Sequence, residues 1–105
     1  MGYIYKITNK INGKVYIGKT KNSVCNRFKQ HLRCAQKGTN RYLYDAMNHY
    51  GYDAFEVEVL EEAISSELSD LEKYYIKKFD SLNPLNGYNM TEGGEYCDTI
   101  SVPLP

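Results

Sequence analysis

Two β-prone runs separated by Asn12-Gly13 set the tightest limit on how this chain can fold. Residues 3–8 (Tyr-Ile-Tyr-Lys-Ile-Thr) and Val15-Tyr16-Ile17 are β-branched and aromatic. Asn-Gly between such runs favours the left-handed backbone of a tight antiparallel reversal, so the N-terminus is expected to be a β-hairpin. A helix is then expected over about residues 23–37, with Ser23 or Asn22 as its N-cap and Gly38 as its stop. A second helix is expected over about 41–50, between Asn40 and Gly51. Phe55, Val57 and Val59 alternate with Glu56 and Glu58, which predicts a strand over about 55–60 with one face buried. Ser65 or Ser66 opens a third helix ending near Phe79, and Asn83-Pro84, Asn86-Gly87 and Gly93-Gly94 mark turns. The order ββααβα predicts an α/β (α+β) domain, a small three-stranded antiparallel sheet flanked by helices. Three strands are few, so the helices must supply much of the core.

A chain of 105 residues holds one such core. It is expected over residues 1–94, with 95–105 as a weakly ordered tail or linker ending in prolines. No apolar run is long enough to cross a membrane, and Met-Gly-Tyr-Ile-Tyr-Lys is not a secretory leader. Cys25, Cys34 and Cys97 are odd in number and lack zinc spacing, which suits free thiols in a reducing, cytoplasmic setting. The net charge of zero conceals a polarity. Residues 1–50 carry ten Lys and Arg against the single acid Asp45, a balance of +9, and residues 51–105 carry three lysines against twelve acids, a balance of −9. This suits a basic surface for a polyanion, or two halves that pack together through opposite charges.

At about 100° per residue, with Leu68 at zero, Leu71, Tyr75, Phe79 and Ile76 of the third helix form an apolar stripe. Glu72 falls about 40° from Leu68, inside that stripe. A carboxylate there requires compensation, either by a buried cation or by a metal ion, for which a hard oxygen on a rigid helix suits Mg²⁺. In the first helix Val24, Phe28, Leu32 and Ala35 define the expected buried stripe. Arg27 and His31, one turn apart, lie on its margin. An arginine there can bind phosphate as a planar fork and a histidine can move a proton, although a histidine so placed is more often a hydrogen-bonded core residue. In the hairpin, Tyr5 and Tyr16 point to one face whether the register is tight around Asn12-Gly13 or looser around residues 9–12. The tight register offsets them by about 13 Å and the looser one sets them opposite each other.

Tyr3-Ile4-Tyr5, ten residues, then Tyr16-Ile17-Gly18 resembles the signature of the GIY-YIG nucleases. Arg27-x-x-x-His31, Glu72 in a helix and Gly87-Tyr88-Asn89 follow in family order, so the resemblance covers roughly residues 2–94. It is nearest to the catalytic domain of the phage-type homing enzymes. It implies a metal-dependent DNA endonuclease in which Glu72 is the protein ligand of one Mg²⁺ or Mn²⁺ ion. Arg27 would hold the scissile phosphate, His31 would assist proton transfer, and Tyr5 or Tyr16 would act as, or orient, the general base. Lys19, with Lys21 and Arg27, would bind substrate, and Asn89 would brace the site. The implied partner is DNA, with target choice supplied by an appended DNA-binding module or a homo-dimer. Two positions depart from the family pattern. Tyr3 stands where a glycine is usual, and Asn40 stands where some homing-type members carry a histidine. His49 reads as a helix C-terminal residue ahead of Gly51.

The chemistry is consistent with hydrolysis of a phosphodiester, which needs an aligned water, a base, and positive charge on the developing oxyanion. A phenol near pKa 10 is a poor base at neutrality. Lowering that by ~2 requires roughly 2.7 kcal/mol of differential stabilisation, within reach of nearby cations. A catalytically silent nucleic-acid-binding module of the same fold is the alternative.

Overall fold

A computed structural model of the chain describes residues 2–38 and 42–90. Asn40, Gly93-Gly94, Cys97 and the 95–105 tail lie outside them. Six main elements follow in the expected order: β1 (Gly2–Asn9), β2 (Val15–Thr20), α1 (Val24–Gln36), α2 (Tyr42–Tyr50), β3 (Phe55–Ala63) and α3 (Leu68–Phe79). The sheet is antiparallel with β1 in the centre, in the order β2-β1-β3. Side chains alternate across it, and each face has its own cover. Tyr5, Ile7 and Tyr16 pack with Val24, Ala35, Leu43, Tyr44 and Met47 of α1 and α2. Ile4 and Ile17, on the other face, pack with Leu68 and Ile76 of α3. Among the described residues no helix is long and apolar enough to cross a membrane.

Neither expected hairpin register forms. Tyr5 pairs with Gly18 and Tyr16 with Ile7, which lies midway between the two. The strands are joined by a loop over residues 10–13, in which the Asn9 N–H donates to the Lys14 carbonyl at 2.9 Å and Gly13 takes φ 79°. Side chains set this choice. Asn9 Oδ1 accepts from the Ile11 N–H and Asn12 Oδ1 from the Lys14 N–H, each at 2.9 Å. The amide nitrogens of Asn9 and Asn12 both donate to the Tyr88 hydroxyl, at 3.1 and 3.2 Å. The loop is thus fastened to a residue more than seventy positions away, which turn propensity cannot register.

Three further expectations are corrected. The buried centre of α1 is Val24, Arg27, His31 and Ala35, while Phe28 and Leu32 are only half-buried. The helix is therefore rolled toward its polar pair, because the ring of Tyr5 offers His31 a partner that an aliphatic chain could not use. In β3 the strand runs on to Ala63, but its pairing with β1 shifts between Ile4 and Tyr5, and Val59 ends up 51% exposed. The alternation itself runs unbroken from Phe55 to Val59, opposite Asn9, Ile7 and Tyr5, and the shift falls at Leu60, so Val59 keeps the expected face but lies on an edge strand that leaves it half uncovered. Ser65–Glu67 forms a 3₁₀ turn closed by the Glu67 N–H on the Ile64 carbonyl at 3.0 Å, and no side chain caps α3.

Candidate active site

Parity survives the altered register, so Tyr5 and Tyr16 share the face beneath α1 and α2. Two positions now separate them, and their ring centroids lie 6.4 Å apart. Gly18 makes this packing possible. A Cβ there would fall on Cζ and the hydroxyl of Tyr5 and within 2.9 Å of its Cε1.

His31 completes the cluster and is fully buried. Its Nε2 lies 2.7 Å from the Tyr5 hydroxyl and its Nδ1 lies 2.9 Å from the Tyr44 hydroxyl. Tyr16 meets the imidazole nearly edge-on, with centroids 5.4 Å apart. Both ring nitrogens are therefore engaged, and both partners are phenols. Tyr44 did not stand out in the sequence. It is one of eleven tyrosines, and the phase of α2 against α1 is not visible in either segment alone. Arg27, one turn ahead of His31, is also buried, and its Nη1 donates to Gln30 Oε1 at 2.8 Å. Gln30, likewise not singled out by sequence, holds the guanidinium along the flank of α1.

Lys19 and Glu72 occupy the other side of the sheet. Lys19 alternates with Gly18, and its Nζ donates to Ser69 Oγ at 2.7 Å while lying 3.7 Å from Glu72 Oε1. The two side chains are 1% and 7% exposed. The carboxylate inside the apolar stripe of α3 thus faces a buried cation, and that cation is a residue expected to bind substrate. Lys21, just beyond β2, is exposed. The sheet therefore sorts the expected residues into two groups. Tyr5, Tyr16, Arg27 and His31 lie on the α1 side, with Lys19 and Glu72 on the α3 side. β2 is an edge strand and carries Tyr16, Gly18 and Lys19, whereas Tyr5 sits on the central β1.

Asn89 reinforces that margin. Val15 donates from its N–H to the Asn86 carbonyl and accepts from the Tyr88 N–H, so residues 86–88 run along β2. At Ile17 the side chain of Asn89 takes over the ladder. Its Oδ1 accepts from the Ile17 N–H and its Nδ2 donates to the Ile17 carbonyl, each at 2.9 Å, while Ser81 Oγ donates to Oδ1 at 2.7 Å. The amide mimics a peptide unit and pins the strand that carries Tyr16, Gly18 and Lys19. Asn89→Ala is expected to lower stability by about 1–3 kcal/mol, since the Ile17 peptide and Ser81 lose buried partners. An unchanged urea midpoint would count against this clamp.

Among the described residues no three His, Cys, Asp or Glu side chains gather as a metal-binding group. Of the residues grouped at this site, Glu72 carries the carboxylate, and it is paired with Lys19. That set fits a hard divalent cation that keeps most of its water and completes its shell with substrate phosphate, and it does not fit structural zinc.

The description of the GIY-YIG catalytic domain matches residues 1–89 of this chain. The chain belongs to the GIY-YIG family. It is 36% identical over 92 residues to Uncharacterized protein 019R of Invertebrate iridescent virus 6, covering 85% of this chain and 33% of that one. It is 33% identical over 102 residues to Intron-associated endonuclease 1 of Enterobacteria phage T4, covering 91% of this chain and 40% of that one. The catalytic domain of homing endonuclease I-TevI superposes with a TM-score of 0.75 at 32% identity, covering 87% of this chain and 99% of that domain. This chain spans well under half the length of those two curated relatives, whereas it matches the catalytic domain of I-TevI almost end to end.

Proposed function

We propose that this chain is the catalytic domain of a metal-dependent, homing-type DNA endonuclease that hydrolyses phosphodiester bonds. The observation that carries this reading is the buried contact between the Tyr5 hydroxyl and His31 Nε2 at 2.7 Å, with Tyr16 against the same imidazole. A phenol held on an imidazole can pass its proton to the ring as it accepts one from water, which brings a weak base within reach of neutral pH. Tyr5 is 1% and Tyr16 8% exposed, so Tyr16 stands nearer to solvent and orients the attacking water while Tyr5 and His31 handle the proton. Arg27 offers a planar fork to the phosphate oxygens. On the far side of β2, Glu72 would hold a Mg²⁺ or Mn²⁺ ion, and Lys19 keeps the carboxylate in place. When bound, the ion supplies positive charge for the developing oxyanion and leaving oxygen. A phosphodiester bound near Gly18 of β2 would lie between the two groups of side chains.

DNA as substrate is supported by the names of the relatives and by charge. Lys21, Lys29, Arg33 and Lys37 are all exposed, and no acid precedes Asp45. Lys6 and Lys19 are instead paired with Glu58 and Glu72 of the acidic half, so the charge polarity serves packing as well as surface. We place target choice in an appended DNA-binding module, in keeping with the greater length of the relatives, and the protein in a reducing compartment, in keeping with the free thiols of Cys25 and Cys34.

Supercoiled plasmid incubated with the protein and Mg²⁺ is expected to be nicked, with activity lost in EDTA. Arg27→Ala is expected to lower the rate by roughly 10²-fold or more. No nicking of plasmid, hairpin or branched DNA by the wild type would overturn the reading in favour of a silent nucleic-acid-binding module.

A further inference from the structure

The mechanism above uses one nitrogen of His31, and the structure occupies the other. A neutral imidazole donates from one nitrogen and accepts at the second, and which does which is fixed by its partners. If Nε2 carried the hydrogen, it would point at the Tyr5 hydroxyl and could not take up that phenol's proton. The ring must therefore be held with hydrogen on Nδ1 for the Tyr5–His31 pair to work. The Nε2 contact to Tyr5 is 2.7 Å and the Nδ1 contact to Tyr44 is 2.9 Å. Both contacts are of hydrogen-bond length, so Tyr44 is placed to accept a hydrogen from Nδ1 while Tyr5 donates to Nε2.

We propose that Tyr44 is a positioning residue that accepts the Nδ1–H of His31 and so fixes the tautomer in which Nε2 receives the proton of Tyr5. Its consequence for catalysis rests on the endonuclease reading, while the tautomer itself does not. The setting favours a single tautomer. Tyr44 is 2% exposed and His31 is fully buried, so water does not compete readily for either atom. The two rings come from different helices, with centroids 5.7 Å apart, so the bond also fixes the roll of α1 against α2.

The test is long-range ¹H–¹⁵N correlation spectroscopy on the full chain at a pH where His31 is neutral. His31 and His49 are the only histidines, and exposed His49 serves as the internal reference. Wild-type His31 is expected to show a protonated Nδ1 and a bare Nε2, and Tyr44→Phe is expected to shift the ring toward the other tautomer. The same variant is expected to lose roughly 10²-fold in kcat with KM for plasmid DNA unchanged, as for a lost proton acceptor. A protonated Nε2 in the wild type, or an unaltered tautomer in a folded Tyr44→Phe, overturns the proposal. The wild-type spectrum decides even if the variant does not fold. If the tautomer responds as expected but the wild type nicks no DNA, the positioning role stands and the endonuclease reading fails.

Discussion

Exchanging Glu72 for alanine is expected to abolish nicking and, in metal-free buffer, to lower the stability of the fold by about 3–5 kcal/mol. Both effects have one origin. The side chain of Lys19 is 1% exposed and its ammonium lies 3.7 Å from the carboxylate, so truncation takes the counter-charge from a buried cation that also donates to Ser69 Oγ. Breaking such a pair from one side costs more than replacing both members by apolar groups of similar size. Lys19→Met combined with Glu72→Leu is therefore expected to regain most of the stability while remaining inactive. Glu72→Gln keeps the shape and removes the charge, and it should retain more stability than alanine with equally little activity. Chemical denaturation without metal, run beside the plasmid assay, separates the outcomes. A Glu72→Ala protein as stable as wild type would show that the ion pair contributes nothing to the fold, and residual nicking would remove Glu72 from the site.

Gly18→Ala should have the second largest effect, although it adds only one methyl group. The new Cβ would clash with the tip of the Tyr5 ring, and Tyr5 is 1% exposed with little room to retreat. Overpacking of this sort costs about 1–3 kcal/mol. The loss of activity should be larger, on the order of 10²-fold, because displacing the phenol breaks its 2.7 Å contact with His31 Nε2. The decisive pair is Gly18→Ala with and without Tyr5→Phe. If the glycine matters only by seating that hydroxyl, the two losses in kcat will not add. Additive losses would mean that Gly18 serves the site in another way, such as admitting the phosphate to the strand margin.

Much of this was written in local pattern. The strands, the helices and their order follow from periodicity and turn residues, which act over a few positions of chain. So do the placement of Glu72 inside an apolar stripe, the Arg27–His31 step on one helix flank, and the shared face of Tyr5 and Tyr16. That last result held in a register nobody would choose from Asn12-Gly13 alone, because face depends only on parity, and a shift by two positions preserves it. The family signature drew on the same local information.

What the sequence left open depended on how separate elements meet. The hairpin register was settled by Asn9 and Asn12 reaching Tyr88, and Val59, on the expected face of edge strand β3, is left 51% exposed because the packed elements do not cover it. The choice between ion pair and lone carboxylate for Glu72 fell to Lys19, whose face of the sheet is fixed only once α3 packs there. Tyr44 became the second partner of His31 through the roll of α2 on α1. A helix or strand pattern states which residues point inward, since that follows from backbone geometry. It cannot state what they meet there, since a hydrogen bond or ion pair spans a few ångströms and is decided by the relative placement of elements that only the packed core fixes.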